Sequence, residues 1–121
     1  MTINHLNLVV TDVSRAADFF TGYFGFHCEL IKGDAVIAVL RNKEDFILVL
    51  MADKNGQPVY PANFHFGFIL DDTESVDRVY DQLVQGKMDI GRPPGKLRDG
   101  YGFYFYFENI MIEVGAGMQR R

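Results

Sequence analysis

Two histidines and one glutamate in this sequence have the residue types and the placing of metal ligands. His5 lies seven residues before Asp12, and His65 lies seven residues before Asp72, so one motif occurs twice along the chain. Glu113 interrupts an otherwise apolar closing segment, where a carboxylate is costly unless it is solvated, hydrogen-bonded or bound to a cation. Two imidazoles and a carboxylate bind a divalent ion while leaving positions open for a substrate. We therefore predict a metal site at His5, His65 and Glu113.

The alternation of side chains along a strand places all three residues on comparable faces. His5 shares its strand face with Asn7, whereas the more apolar face, which should contact a helix, carries Leu6, Leu8 and Val10. His65 and Glu113 also fall opposite the apolar positions of their strands. Two alternatives stay open for the histidines: hydrogen-bonded structural residues, or a sequence repeat inherited without function.

Each half of the sequence predicts the order strand, helix and three strands. The first half, about residues 3–51, predicts strands at 3–10, 26–31, 35–40 and 46–51 and a helix at 13–24. Asp12 or Thr11 should cap the start of that helix, and Gly25 should end it. The lone Cys28 is expected to be a small buried side chain.

The second half, about residues 63–115, repeats this order after a linker at about 52–62. It predicts strands at 64–70, 88–90, 103–107 and 110–114, and a helix capped by Asp72 or Thr73 and ended by Gly86. One half alone has too little helix to cover both faces of its sheet. We therefore expect one α+β domain over residues 1–121, built from two βαβββ modules.

Charge and cysteine content narrow the class of partner. A net charge of -4 argues against nucleic acid or an anionic membrane, since either would need a basic face. No apolar segment has the length of a membrane span, and the single cysteine cannot form an internal disulfide. These features predict a cytoplasmic protein whose partner is a small molecule or another protein. The basic loop at 91–102 is either a lid for an anionic substrate or a solvated loop.

The repeated unit resembles the vicinal oxygen chelate superfamily, which groups glyoxalases, bleomycin-resistance proteins and extradiol dioxygenases. The likeness covers nearly the whole chain. It is strongest in the segments 5–12 and 64–66 and in the closing Ile112-Glu113-Val114. The resemblance implies that the two modules pair into an open, cup-like mixed sheet with the helices outside. It also implies that His5, His65 and Glu113 hold a divalent metal ion (Fe, Mn, Ni or Zn), and that the chain forms a homodimer.

One departure from the family pattern affects the expected reaction. Glyoxalases, which this chain resembles, use a fourth, acidic ligand on the last strand of the first module, and the matching position here is about Leu48. A three-ligand site is more similar to the fosfomycin-resistance thiol transferases and to the dioxygenases, although dioxygenases are usually longer.

We therefore expect a small metal-dependent enzyme, a lyase, dioxygenase or thiol transferase, whose metal chelates an oxygen-bearing substrate. Asn7, Arg98, Tyr101 and Tyr104 are the candidate substrate contacts. The alternative is a metal-free protein of the bleomycin-resistance type that binds a small molecule such as an antibiotic.

Overall fold

The first of two structural units contains one helix and a four-stranded open sheet. The computed structural model describes residues 1–117, and the chain divides into Met1–Pro58 and a second unit that begins at Val59. The elements of the first unit are β1 (His5–Val10), α1 (Val13–Phe24), β2 (His27–Lys32), β3 (Ile37–Arg41) and β4 (Ile47–Ala52). The strand order is β1-β4-β3-β2, with β1 parallel to β4 and the other pairs antiparallel.

Helix α1 has the bounds that the sequence predicts, and its two ends explain why. The Asp12 carboxylate accepts a hydrogen bond from the backbone N–H of Arg15 at 3.0 Å, which satisfies one of the free donors at the helix start. Gly25 ends the helix with a φ of 73°, in the left-handed region that glycine enters without a steric penalty. Phe20 and the apolar face of the helix are buried against the sheet.

Strand β1 confirms the predicted division of its faces, whereas Cys28 corrects a prediction. Leu8 and Val10 are buried and His5 is exposed. Cys28 is exposed rather than buried, because β2 is an edge strand and all six of its residues are exposed.

The second unit has the same order of one strand, one helix and three strands. Its elements are β5 (His65–Leu70), α2 (Thr73–Gln85), β6 (Gly95–Leu97), β7 (Gly100–Phe107) and β8 (Ile110–Ala116). The strand order is β5-β8-β7-β6, and β5 runs parallel to β8. The edge strand β6 is shorter than β2 and lies farther from the preceding helix in sequence. The two open mixed sheets, each with one helix, make this an α+β fold of two βαβββ modules.

The strand predicted at 88–90 is wrong, and β6 lies instead inside the predicted loop at 91–102. The backbone N–H of Met88 donates to the carbonyl of Leu83 at 3.0 Å, so it completes the end of α2 and does not join a sheet. Strand β6 pairs with β7 through a two-residue turn at Arg98 and Asp99, and Arg98 has a φ of 52°. None of the helices within residues 1–117 is both long enough and apolar enough to cross a membrane.

Candidate metal centre

The parallel pairing of β5 with β8 brings two of the predicted ligands together. Gly67 of β5 lies opposite Glu113 of β8, and His65 lies two residues earlier on the same face of β5. The Nε2 atom of His65 is 3.8 Å from Oε1 of Glu113. An imidazole nitrogen and a carboxylate oxygen therefore face each other across neighbouring strands of one sheet.

The other ring nitrogen of His65 is held by the backbone. Nδ1 lies 3.1 Å from the carbonyl oxygen of Asn63, and because a carbonyl can only accept, Nδ1 must carry the proton and donate it. In a neutral imidazole this leaves a lone pair on Nε2, the atom that faces Glu113. Metal-binding histidines have this arrangement, with one ring N–H held by an acceptor and the other nitrogen free for the ion.

The Glu113 carboxylate is buried and is paired with an arginine. Only 7% of its side chain is exposed. The Arg98 guanidinium donates from Nη2 to Oε2 at 2.7 Å and from Nη1 to Oε1 at 3.1 Å. This bidentate pairing matches the planar fork of a guanidinium to the two carboxylate oxygens. Arg98 therefore supplies the positive charge that a buried carboxylate needs.

Tyr104 lies beside all three of these side chains. It is opposite Glu113 in the pairing of β7 with β8, and its ring meets the ring of His65 edge-on with centroids 5.8 Å apart. Its hydroxyl oxygen is 3.4 Å from Nη1 of Arg98. His65, Glu113, Arg98 and Tyr104 thus form one cluster, which we call the Glu113 cluster.

The electrostatics of the cluster keep the carboxylate charged and the phenol neutral. Burial raises the pKa of the Glu113 carboxyl, but hydrogen bonds from Arg98 and Tyr104 and the charge of Arg98 lower it by more, so the pKa lies below its ordinary value. Burial, together with the hydrogen bond to Glu113, raises the pKa of the Tyr104 hydroxyl. At neutral pH the cluster therefore presents a carboxylate acceptor beside a protonated hydroxyl donor.

A glycine on β5 allows the close approach of the Glu113 backbone on the neighbouring strand. A Cβ atom at Gly67 would lie 2.5 Å from the carbonyl oxygen of Glu113 and 2.8 Å from its Cβ. Real Cβ atoms do not approach other atoms so closely, so any side chain at this position would displace β8 or the glutamate. Gly67 is therefore part of what positions Glu113.

The first unit holds the remaining predicted ligand in a similar setting. Nδ1 of His5 is 2.9 Å from the side-chain oxygen of Asn4, which leaves Nε2 free when Nδ1 donates. Asn7, on the same face, donates from its amide to the sulfur of Met51 at 3.1 Å. Within residues 1–117 no three His, Cys, Asp or Glu side chains form a group that could hold a metal ion. The ligand role of His5 stays a prediction.

The first-module counterpart of Glu113 is Val49 rather than Leu48. Asn7 pairs with Val49 just as Gly67 pairs with Glu113. Leu48 is buried on the helix side of β4. The correction moves the position by one residue and so to the other face of the sheet, but both residues are apolar and neither can bind a metal.

Tyr101 is not part of the Glu113 cluster. Its hydroxyl donates to the Asp77 carboxylate of α2 at 2.6 Å, so the side chain lies on the helix side of β7. That hydrogen bond is also the main reason why the pKa of the Tyr101 hydroxyl is raised. The structure therefore brings together four of the predicted residues and places this one elsewhere, and its contact with a substrate stays a prediction.

A cavity lies beside the cluster in the second unit. Its volume is about 690 Å³, and it is lined by residues 89, 91–93 and 95–97 on one side and by residues 102–106 of β7 on the other. The volume falls in the range of small-molecule sites, about 300–1,000 Å³. Tyr104 belongs both to the cavity wall and to the Glu113 cluster, so it is the residue through which a ligand in the cavity would contact the cluster.

The cluster supplies two donors of the kinds that bind a divalent ion, the His65 imidazole nitrogen and a Glu113 carboxylate oxygen. Imidazole nitrogen and carboxylate oxygen suit Zn, Mn, Fe and Ni, and the carboxylate already binds a cation, the Arg98 guanidinium. The sequence indicated neither this ion pair nor the carbonyl of Asn63 as the holder of the imidazole. A glycine opposite a lone acidic residue, as at Gly67, was the signal that could have indicated a crowded site.

Comparisons of the sequence and of the structure with known proteins indicate the same family. A family model described as the glyoxalase/bleomycin resistance protein/dioxygenase superfamily matches residues 2–113. A possible glyoxalase from Bacillus cereus has a similar structure, with a TM-score of 0.83, 37% identity, and coverage of 95% of this chain and 98% of the other. No curated protein matches the sequence.

Two further structures share the fold at lower identity. The lactoylglutathione lyase from Agrobacterium tumefaciens has a TM-score of 0.75 and 20% identity, covering 96% of this chain and 93% of its own. The fosfomycin resistance protein FosX from Listeria monocytogenes has a TM-score of 0.80 and 18% identity, covering 97% and 91%. At these identities the likeness concerns the fold alone.

Proposed function

The chain belongs to the glyoxalase/bleomycin resistance protein/dioxygenase superfamily, and from this premise we propose that it is a metal-dependent enzyme. His65 and Glu113 would hold a divalent ion, Fe, Mn, Ni or Zn, with His5 of the first unit as a third ligand. The reaction would be that of a lyase, a dioxygenase or a thiol transferase on a small oxygen-bearing substrate. The names of the similar structures, a lactoylglutathione lyase and a fosfomycin resistance protein, support this range.

The observation that carries the proposal is the fixed orientation of His65. The Asn63 carbonyl holds the Nδ1 proton, and Nε2 faces the Glu113 carboxylate at 3.8 Å. The same nitrogen can bind a metal ion when the imidazole is neutral, or form an ion pair with Glu113 when it is protonated. A divalent ion bound there supplies Lewis acidity, which stabilises negative charge that develops on substrate oxygens.

The remaining residues of the cluster bind and orient a substrate. Tyr104 keeps its proton at neutral pH because the pKa of its hydroxyl is raised, so it can donate a hydrogen bond to a substrate oxygen in the adjoining cavity. Residues 89, 91–93 and 95–97 cover one side of that cavity and reduce the access of water. Arg98 contacts an anionic substrate group only if it first leaves Glu113.

The test is the affinity of chelator-treated protein for divalent ions. We expect one site per chain in the wild type, and a loss of affinity in the variants His65→Ala, Glu113→Gln and His5→Ala. His27→Ala is the matched control, because His27 is the third histidine of the chain and lies on the exposed edge strand β2. Equal affinity in wild type and His65→Ala would refute the metal-dependent enzyme.

A second candidate, a metal-free binding protein of the bleomycin-resistance type, is favoured by one specific observation. Arg98 already neutralises Glu113 without a metal ion. The cavity that Tyr104 lines has the volume of a small-molecule site. Ligand binding to the folded state raises the melting temperature. A small molecule that raises it equally in wild type and in His65→Ala, without added metal, would support this candidate.

Two further expectations belong with this proposal. Members of the superfamily often form dimers, and we propose that this chain forms a homodimer. Light scattering that gives the mass of a monomer at every protein concentration would refute this proposal. The cytoplasmic location predicted from the single cysteine and the charge stays a prediction.

A further inference from the structure

The ion pair between Arg98 and Glu113 has a consequence for metal binding. We propose that Arg98 is an internal cation that occupies the Glu113 carboxylate until a divalent metal ion displaces it, so that Arg98 sets the metal affinity of the site. This inference rests on the proposed function, since it assumes that Glu113 is a metal ligand. It concerns Arg98 itself, which the ligand set does not include.

Arg98 and a metal ion compete for the same atoms. The guanidinium hydrogen-bonds to both carboxylate oxygens, at 2.7 and 3.1 Å, and Nη1 also lies within 3.4 Å of the Tyr104 hydroxyl. A carboxylate has about four acceptor positions, but a divalent ion beside a guanidinium held this closely would also be repelled by its charge. Occupation of Glu113 by the metal therefore requires Arg98 to move.

The position of Arg98 allows that movement at modest cost. Arg98 lies on the two-residue turn between β6 and β7. Its side chain is 49% exposed, whereas the side chain of Glu113 is only 7% exposed. The long side chain can therefore turn into solvent, where its charge is hydrated. Glu113 cannot move away, because it lies inside the central strand β8. The carboxylate is the fixed partner and the guanidinium is the exchangeable one.

The exchange would keep the carboxylate compensated in both states. Without metal, Arg98 satisfies the negative charge and prevents the loss of stability that a buried unpaired carboxylate causes. With metal, the ion takes over that role. The apo protein is thus stable at the expense of metal affinity, and binding is weaker than the same ligands would give without the arginine.

The experiment measures Mn²⁺ and Zn²⁺ affinity in chelator-treated wild type, Arg98→Met and Lys96→Met. Lys96→Met is the matched control, because Lys96 carries the same charge on the same hairpin but lies opposite Tyr101, on the other face from Glu113. We expect Arg98→Met to bind about ten- to one-hundredfold more tightly, the worth of one charge-assisted bidentate pair. Lys96→Met should stay within about threefold of wild type, because a solvated charge is screened.

Three additions keep the test decisive if Arg98→Met is poorly folded. Arg98→Lys keeps the charge but loses the planar fork, and we expect an affinity between those of wild type and Arg98→Met. Metal should also raise the melting temperature of both Arg98 variants by more than that of wild type, because it restores the lost compensation. Adding His65→Ala to Arg98→Met should abolish the gain in affinity.

The outcomes separate this inference from the proposed function. If wild type binds metal through His65 but neither Arg98 variant binds more tightly than Lys96→Met, the inference is refuted and the proposed function stands. If no variant binds metal more tightly than His65→Ala does, both are refuted. A gain that is confined to the Arg98 variants and depends on His65 supports both.

Discussion

Replacing Arg98 with methionine should destabilise the protein by an amount that the geometry of its ion pair determines. Removing one partner of a buried ion pair costs about 3–5 kcal/mol. Here only 7% of the Glu113 side chain is exposed, but 49% of the Arg98 side chain is, and solvent screens a half-exposed charge. We therefore expect the metal-free variant to lose about 2 kcal/mol in its free energy of unfolding at neutral pH.

Urea denaturation followed by circular dichroism measures this loss, and a double-mutant cycle assigns it to the pair. Arg98→Met, Glu113→Gln and the double variant should show a coupling of at least about 1 kcal/mol. The control cycle uses Arg41 and Glu29, which are joined by a single hydrogen bond at 2.9 Å and are both about one-third exposed. Its coupling should be smaller. Additive effects at Arg98 and Glu113, or equal coupling energies in the two cycles, would refute the expected contribution of the Arg98–Glu113 pair to the free energy of unfolding.

The same reasoning predicts how this loss changes in acid. The pKa of the folded-state Glu113 carboxyl lies below its ordinary value, so the unfolded chain binds more protons in acid. The stability from Glu113 is present above the unfolded pKa of about 4.3 and is lost as the pH falls through the folded pKa. The difference between wild type and Arg98→Met should therefore shrink from neutral pH to about pH 3. A difference that stays constant over this range would contradict the assignment.

Substitutions at three other positions test the packing of the second unit at Gly67 and of the first unit at Phe20 and Asp12. Gly67→Ala should cost about 1–3 kcal/mol by crowding Glu113 and should also weaken Mn²⁺ binding; unchanged stability in a urea titration would show that β8 yields freely. Phe20→Ala, at a fully buried position, should cost about 3–5 kcal/mol in the same assay, and a loss below 1 kcal/mol would contradict its place in the core. Asp12→Ala removes the cap of α1 and should cost about 1 kcal/mol, whereas Asp12→Asn should recover most of it.

The fold could be predicted where local chemistry and hydrophobic periodicity agree. Helix α1 begins and ends as expected because Asp12 caps its first turn and Gly25 adopts the left-handed conformation that ends it. The strand at 88–90 was wrong because its alternation of apolar and polar residues is shared by a segment that only completes the end of α2. Of the two short segments 88–90 and 95–97, only the second joins the sheet. The backbone N–H of Met88 is already bound to the carbonyl of Leu83 at the end of α2.

The site could be predicted only in part, because its chemistry depends on contacts between residues far apart in sequence. The side-chain alternation correctly placed His65 and Glu113 on one face. It did not indicate that Arg98, fifteen residues before Glu113, would reach the carboxylate, since that depends on the two-residue turn after β6. The same limit applies to Leu48, where counting along the strand missed the true register by one residue.

The register also explains why the two modules differ at the position that matters for chemistry. Asn7 stands opposite Val49 in the first module, and Gly67 stands opposite Glu113 in the second. A Cβ atom at position 67 would lie 2.5 Å from the backbone carbonyl oxygen of Glu113 and 2.8 Å from its Cβ, so β5 and β8 approach each other here more closely than a side chain at position 67 allows. In the first module, Asn7 donates its amide to the sulfur of Met51 and stands opposite an apolar residue that needs no compensating cation. The two modules thus differ in two respects at this register: glycine stands on β5 where asparagine stands on β1, and the carboxylate on β8 is compensated by the guanidinium of Arg98.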